Sequence, residues 1–233
     1  MKRFGLFQCA CIWTVASVLT PAAAQTVPDT IAERTQPCVA CHGQEGRATS
    51  EGYFPRIAGK PAGYLFNQLV NFREGRRTNA AMTYLVEHLT DAYLQEIAGY
   101  FAALSLPYPP PQNPATTPEA LRHGEMLVRN GDPARRLPAC VQCHADTMTG
   151  VLPAVPGLLG LPRDYLIAQF GRWKAGDREA AAPDCMADIA ARMSADDIAA
   201  VATWLASQHV PPDAKPVATL LQPPSLPCGS GFR

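Results

Sequence analysis

Two pentapeptides in this chain carry residue types whose spacing suits covalent and metal chemistry: Cys38-Val39-Ala40-Cys41-His42 and Cys140-Val141-Gln142-Cys143-His144. C-x-x-C followed at once by histidine is the attachment signature of c-type haem. The spacing answers to the porphyrin. Each thiol adds to one vinyl group to form a thioether, and the adjacent histidine is left to bind iron from the proximal face. A redox dithiol does not require the histidine, and structural zinc is ordinarily closed by paired knuckles. Two copies in one chain therefore predict two covalent haem c groups, tethered by Cys38, Cys41, Cys140 and Cys143, with His42 and His144 as iron ligands.

An iron held by one histidine has a second axial face, and what fills it separates electron carriers from catalysts. In cytochromes c the partner is methionine, whose soft sulfur favours ferrous iron. Met82 follows His42 by 40 residues and Met186 follows His144 by 42, and each precedes a helix-capping residue, Thr90 or Ser194, by eight. That coincidence marks them as ligands rather than core methionines. Met126 and Met148 have no counterpart, Met193 aligns with Leu89, and His88, His123 and His209 do not recur between halves. The proximal histidine needs an acceptor for its other ring nitrogen. Pro55 and Pro156, twelve or thirteen residues downstream, are best placed to offer a carbonyl, with Pro153 a competitor. Donors for the haem propionates are sought among Arg56, Tyr64, Arg73, Arg77, Tyr165, Lys174 and Arg178, the repeated pairs Tyr64/Tyr165 and Arg77/Arg178 foremost. No catalytic residue is expected.

The elements that must position these groups are themselves repeated. Pro55, Gly59, Pro61, Tyr64 and Leu65 meet Pro156, Gly160, Pro162, Tyr165 and Leu166 at an offset of 101, and the register runs on through Gln68/Gln169, Phe72/Trp173, Gly75/Gly176 and Arg77/Arg178. After a three-residue insertion, Met82 meets Met186, Thr90 meets Ser194 and Ile97 meets Val201. Apolar residues at i, i+3, i+4, i+7 predict a last helix in each half, through Leu94, Ile97, Ala98, Phe101 and through Ile198, Val201, Ala202, Leu205. Thr90 and Ser194 are N-caps, with Asp197 at N3 of the second. Another helix is predicted from Pro118 to Asn130, ended by Gly131, where the first half has only Asp29 to Thr35. No alternating strand is expected. Six prolines between Pro107 and Pro118 predict a stiff extended linker. The fold class is all-α: a first haem-binding domain over 25–106, the linker 107–118, a second haem-binding domain over 119–210 and a tail 211–233.

Residues 1–24 read as an export signal. Lys2 and Arg3 precede an uncharged apolar stretch, Phe4 to Leu19, and Ala22-Ala23-Ala24 offers a cleavage site. Sixteen residues is short of the roughly twenty that span a bilayer. Cys9 and Cys11 leave with it, and the mature chain is expected in the periplasm, without a transmembrane helix. Its 20 basic and 20 acidic residues fall to a net charge near −2 once Lys2 and Arg3 are lost, which offers nothing to nucleic acid. Cys185 and Cys228 remain, an even number in an oxidising compartment, and predict a disulfide; two free thiols are the alternative.

These residues together resemble the dihaem cytochromes c4, tandem cytochrome c553-type domains. The resemblance rests on the two CxxCH motifs, the PRIAGKPAGYLFNQLVNFREGRR stretch and Met82 before Thr90-Asp91. It is looser in the second half, where Ala145 follows His144 in place of the family's usual glycine, and where Asp184-Cys185-Met186 and the Pro-Cys-Gly tail depart from the pattern. It implies two cytochrome c folds about a pseudo-twofold axis, propionates near their interface, and periplasmic electron transfer between a membrane-bound cytochrome complex or dehydrogenase and a terminal oxidase or similar acceptor. A dihaem enzyme of peroxidase or thiosulfate dehydrogenase type, and a cytochrome subunit permanently docked on a dehydrogenase, remain as alternatives. Peripheral membrane association stays open.

Overall fold

A computed structural model describes residues 28–49 and 53–231. The expected leader, with Cys9 and Cys11, lies outside the described residues. Ten α-helices carry the fold, and among the described residues the sole sheet is a pair of two-residue strands. The first half holds α1 (Ile31–Arg34), α2 (Gln36–His42), α3 (Ala62–Arg73), α4 (Ala80–Val86) and α5 (Asp91–Ala103). The second holds α6 (Pro118–Arg129), α7 (Val141–His144), α8 (Arg163–Ala175), α9 (Cys185–Arg192) and α10 (Ala195–Ser207). The two cytochrome c folds follow one another in tandem, so α2 to α5 correspond to α7 to α10.

Local chemistry sets the ends of these helices. Pro61 and Pro162 stand at the N-caps of α3 and α8. Gly176 caps α8 in the left-handed region at φ 77°, whereas Glu74 caps α3 and Gly75 follows it. The Thr90 side chain accepts from Tyr93 N–H, and Ser194 and Asp197 form a full capping box. In the first half Leu65 of α3 packs on Ile97, Ala98 and Phe101 of α5. The second core is larger, because α6 supplies Leu127 and Val128 beneath Ile198, Val201 and Leu205 of α10. Gly124 permits that crossing: a Cβ there would lie 2.3 Å from the Ala200 carbonyl oxygen.

The strands were not expected. Gly150–Val151 pairs antiparallel with Val155–Pro156 in the loop after α7, and Val217 of the tail lies parallel to Val151. Strands this short hold too few residues to show alternation. The linker runs without helix until Thr117 caps α6, so Pro118, counted with the linker, is the first residue of that helix. The halves meet around a two-fold-like antiparallel bridge between Arg77 and Arg178. Thr78 N–H donates to Asp177 O at 3.0 Å and Glu179 N–H to Arg76 O at 2.6 Å. No described helix is long and apolar enough to cross a membrane.

Candidate haem centres

Each C-x-x-C-H ends a short helix, so the histidine sits at a helix C-terminus with its backbone turned by the next residue. His42 and His144 are both buried. Nδ1 of His42 lies 2.8 Å from the Pro55 carbonyl oxygen, and Nδ1 of His144 lies 2.7 Å from that of Pro156. This fixes the tautomer, with Nδ1–H donating and Nε2 left as a lone pair for metal. Pro153 takes no part: its carbonyl accepts from Gly63 N–H across the interface at 3.0 Å. Burial pushes both imidazoles below the ordinary histidine value. The proline hydrogen bonds oppose this, and the charges of Arg77 on His42 and Lys60 on His144 add to it.

The four motif cysteines form no disulfide. Burial raises the Cys140 thiol to about 12 and lifts Cys38 and Cys143 as well, the reverse of a redox dithiol. Among the described residues no cluster of three or more His, Cys, Asp or Glu could hold a free metal ion.

Met82 and Met186 lie in the first turns of α4 and α9, and both line the same cavity as the histidines. The caps place them. Met82 N–H donates to Asn79 Oδ1 at 3.1 Å, and Met186 N–H donates to Asp184 Oδ1 at 3.1 Å. Arg73 and Lys174, sought as propionate donors, instead tie the distal loops down in both halves. Arg73 reaches Leu89 O at 2.9 Å, while Lys174 reaches Ala190 O at 3.1 Å and Met193 O at 2.9 Å. A disulfide joins Cys185 to Cys228 with Cα atoms 5.1 Å apart, within the ordinary range. Of the other methionines, Met148 and Met193 are core and Met126 is exposed, though Met193 also edges the cavity. His123 Nε2 pairs with Asp197 at 2.8 Å, and His88 and His209 are exposed.

Between the halves lies a polar cluster. Arg77 donates to Gln68 Oε1 at 2.8 Å and Gln169 Oε1 at 2.9 Å; Arg178 donates to Gln169 Oε1 at 2.6 Å, Gln68 Oε1 at 3.3 Å and Tyr64 OH at 3.4 Å. Tyr165 lines the cavity beside this cluster. Arg56 is spent on the linker, donating to the Ala58, Leu106 and Pro107 carbonyls and lying 4.0 Å from the Tyr108 ring centroid. Three functional residues were not singled out from sequence. Gln68 and Gln169 recur, but only their contact across the interface shows what they hold. Lys60 is fully buried and donates to Gly157 O at 2.8 Å; burial, with Arg56 adding, drives its amine down to about 7.

The residues fit two haems. A continuous cavity of about 640 Å³ is lined by both CxxCH motifs and both methionines. Trp173 Nε1 and Arg77 Nε are buried without a partner among the described residues. Lys60, Arg77 and Arg178 form no ion pair among the described residues. Buried cations without acids call for anions from a bound group, and haem carboxylates answer that need.

No family model matches the sequence. The chain is 37% identical over 177 residues to a "Thiosulfate dehydrogenase electron acceptor" from Thiomonas intermedia, covering 75% of this chain and 80% of that one. It is 33% identical to a cytochrome c4 from Pseudomonas aeruginosa, with 74% and 84% covered. Among solved structures it superposes on reduced cytochrome c4 from Pseudomonas stutzeri with a TM-score of 0.67 at 29% identity, covering 77% and 97%. On the thiosulfate dehydrogenase TsdBA from Marichromatium purpuratum the TM-score is 0.65 at 32% identity, covering 74% of this chain and 36% of that one. With its tandem folds and paired haem c sites, the chain belongs to the cytochrome c4 family of dihaem electron carriers.

Proposed function

We propose that this cytochrome works in the periplasm, taking electrons from a dehydrogenase that oxidises a reduced sulfur compound and passing them to a respiratory acceptor. His42 with Met82, and His144 with Met186, would hold the two haem irons. When bound, each haem supplies a one-electron ferric/ferrous couple. The chain's own residues do the rest. Pro55 and Pro156 hold each imidazole neutral and turned toward iron, and Asn79 and Asp184 fix the helix turns that carry the sulfurs. Arg77, Arg178 and Lys60 would neutralise the propionates of bound haems, and the apolar walls exclude water. The sulfur-compound donor is supported by the electron acceptor relative and by a "Cytochrome subunit of sulfide dehydrogenase" from Chlorobaculum tepidum, 35% identical over 68 residues.

One observation carries the carrier reading against the enzyme. The residues of α4 and α9 that line the cavity are Ala81, Met82, Leu85 and Val86, then Cys185, Met186 and Ile189. None of these is an acid or base. Of the acids lining the cavity elsewhere, Asp164, Glu179 and Asp184, Asp184 beside Met186 is taken up by the Ala180, Met186 and Ala187 amides. An enzyme needs free acid–base groups above an open iron position. The ferric holoprotein is therefore expected to show a sulfur–iron charge-transfer band equivalent to two haems. Met82→Ala and Met186→Ala should each remove half of it and lower one midpoint potential by roughly a hundred millivolts or more. High-spin ferric haem in the wild type would defeat the assignment. Thiosulfate alone should not be turned over by the purified protein. Thiosulfate plus a thiosulfate dehydrogenase should reduce both haems; turnover without the dehydrogenase would make it an enzyme.

A further inference from the structure

The second half carries a device that the first lacks. Beyond α10, which ends at Ser207, residues 215–231 run round the second haem site from the His144 side to the Met186 side. Val217 N–H donates to Gly150 O and Leu152 N–H to Val217 O, both at 2.9 Å, which stitches the tail to the loop after His144. Val217 and Leu220 pack there on Ala145, Val151 and Val155. Ser225 Oγ donates to Gln142 Oε1, inside the CxxCH motif, at 3.2 Å. Leu226, Cys228, Ser230 and Gly231 then line the cavity itself. Cys228 is bonded to Cys185, the residue immediately before Met186, and Gly229 N–H donates to Pro183 O at 2.9 Å. The end is held by the other half, where Asn67 Nδ2 donates to Ser230 O at 3.0 Å.

We propose that this tail is a strap whose Cys185–Cys228 clamp keeps the Met186 sulfur on its iron and closes that haem edge, making Cys185 and Cys228 positioning residues for the second centre alone. The proposal rests on the ligand assignment above. The first half supports it by contrast. In α4 nothing covalent precedes Met82, and after α5 the chain departs as the linker. The anchors reach the second site beside His144 on one side and beside Met186 on the other. The core beneath α6, α8 and α10 takes no residue from the strap. Met186 follows Cys185 directly, so freeing the cysteine loosens the first turn of α9, where Asp184 alone would remain as cap.

Carbon monoxide is the probe, since a ferrous iron closed by methionine excludes it and an opened one takes it up. Ferrous holoprotein is treated with a water-soluble phosphine. The S–S bond accepts two electrons and two protons to become two thiols, and the phosphine takes oxygen from water as phosphine oxide. After the reagent is removed, carbon monoxide uptake should rise from none to one per molecule. The Cys185→Ser/Cys228→Ser variant should behave alike without reagent, with one midpoint potential lowered and the other unmoved. In a Met82→Ala background, uptake should go from one to two as the clamp opens, which assigns the change to the second site. Uptake that stays at one there, or at none in the otherwise native chain, overturns the strap. Failure of Met82→Ala to bind carbon monoxide with the clamp intact would instead defeat the ligand assignment.

Discussion

The two residues that follow the proximal histidines show how one position can be tuned by backbone strain. Gly43 stands at φ 75° and ψ 165°, and a Cβ there would lie 2.3 Å from the Ala48 carbonyl oxygen. Only glycine serves. Its counterpart Ala145 holds φ 67° and ψ 156°, a region that is costly for any residue with a side chain. The second motif is thus built on a strained alanine, buried against Val151 and Val155. Replacing Ala145 with Gly should relieve the strain and outweigh the added freedom of the unfolded chain, stabilising the holoprotein by about 1 kcal/mol. The urea midpoint should rise at constant slope. A fall would mean that the packing of the methyl group matters more than φ. Gly43→Ala should fail in the opposite sense, through the clash with Ala48.

At the level of elements, α6 and α10 are locked by one carboxylate. Asp197 caps α10, receiving Ser194 N–H at 2.8 Å, and accepts from Arg135 at 2.6 Å and pairs with His123 of α6 at 2.8 Å. Burial alone would raise its pKa, but Arg135, the Ser194 amide and His123 outweigh it and hold the carboxyl well below the ordinary range. A depressed acid stabilises the fold fully above the unfolded carboxylate value, near 3.9, and loses that contribution as pH falls toward its own lower value. The second half should therefore weaken below about pH 4, and Asp197→Asn should cost about 2–3 kcal/mol at neutral pH while flattening the acid limb. Thermal melts from pH 3 to 7 decide it: a variant as acid-sensitive as the wild type would show another group in control. This cap was legible, since Ser194 and Asp197 stand at capping-box spacing before a helical apolar stripe. The partners of Asp197 were not. His123 and Arg135 lie 74 and 62 residues away, and no periodicity encodes a contact made by tertiary packing. The helices were readable because burial of one face leaves a 3.6-residue period. The two-residue strands and the course of the tail leave no period at all.

Across the whole molecule, the repeat explains both what the sequence disclosed and what it hid. Paired positions such as Arg77 and Arg178 attract notice because they recur, and here they meet at the pseudo-twofold bridge. Lys60 aligns with Leu161, and Asn67 with Ala168, so comparing the halves passes over the residues by which one half grips the other. Lys60 is nonetheless the most asymmetric charge in the interface. It rises from the first half, bonds Gly157 beside the proline that holds His144, and its charge is felt at that imidazole. Where its amine is charged, below about pH 7, Lys60 is a cation near an iron and favours the reduced state. At an effective dielectric near 20, a unit charge about 10 Å away is worth roughly 1.7 kcal/mol, on the order of 70 mV for one electron. Nearby haem carboxylates would screen part of this. Lys60→Gln keeps a donor for Gly157 and removes the charge. It should lower the midpoint of the second-half haem by some tens of millivolts, move the first-half haem less, and leave both sulfur–iron bands intact. A spectroelectrochemical titration resolves the two centres. Two unmoved midpoints would mean that Lys60 serves packing alone and that the halves do not tune one another through it.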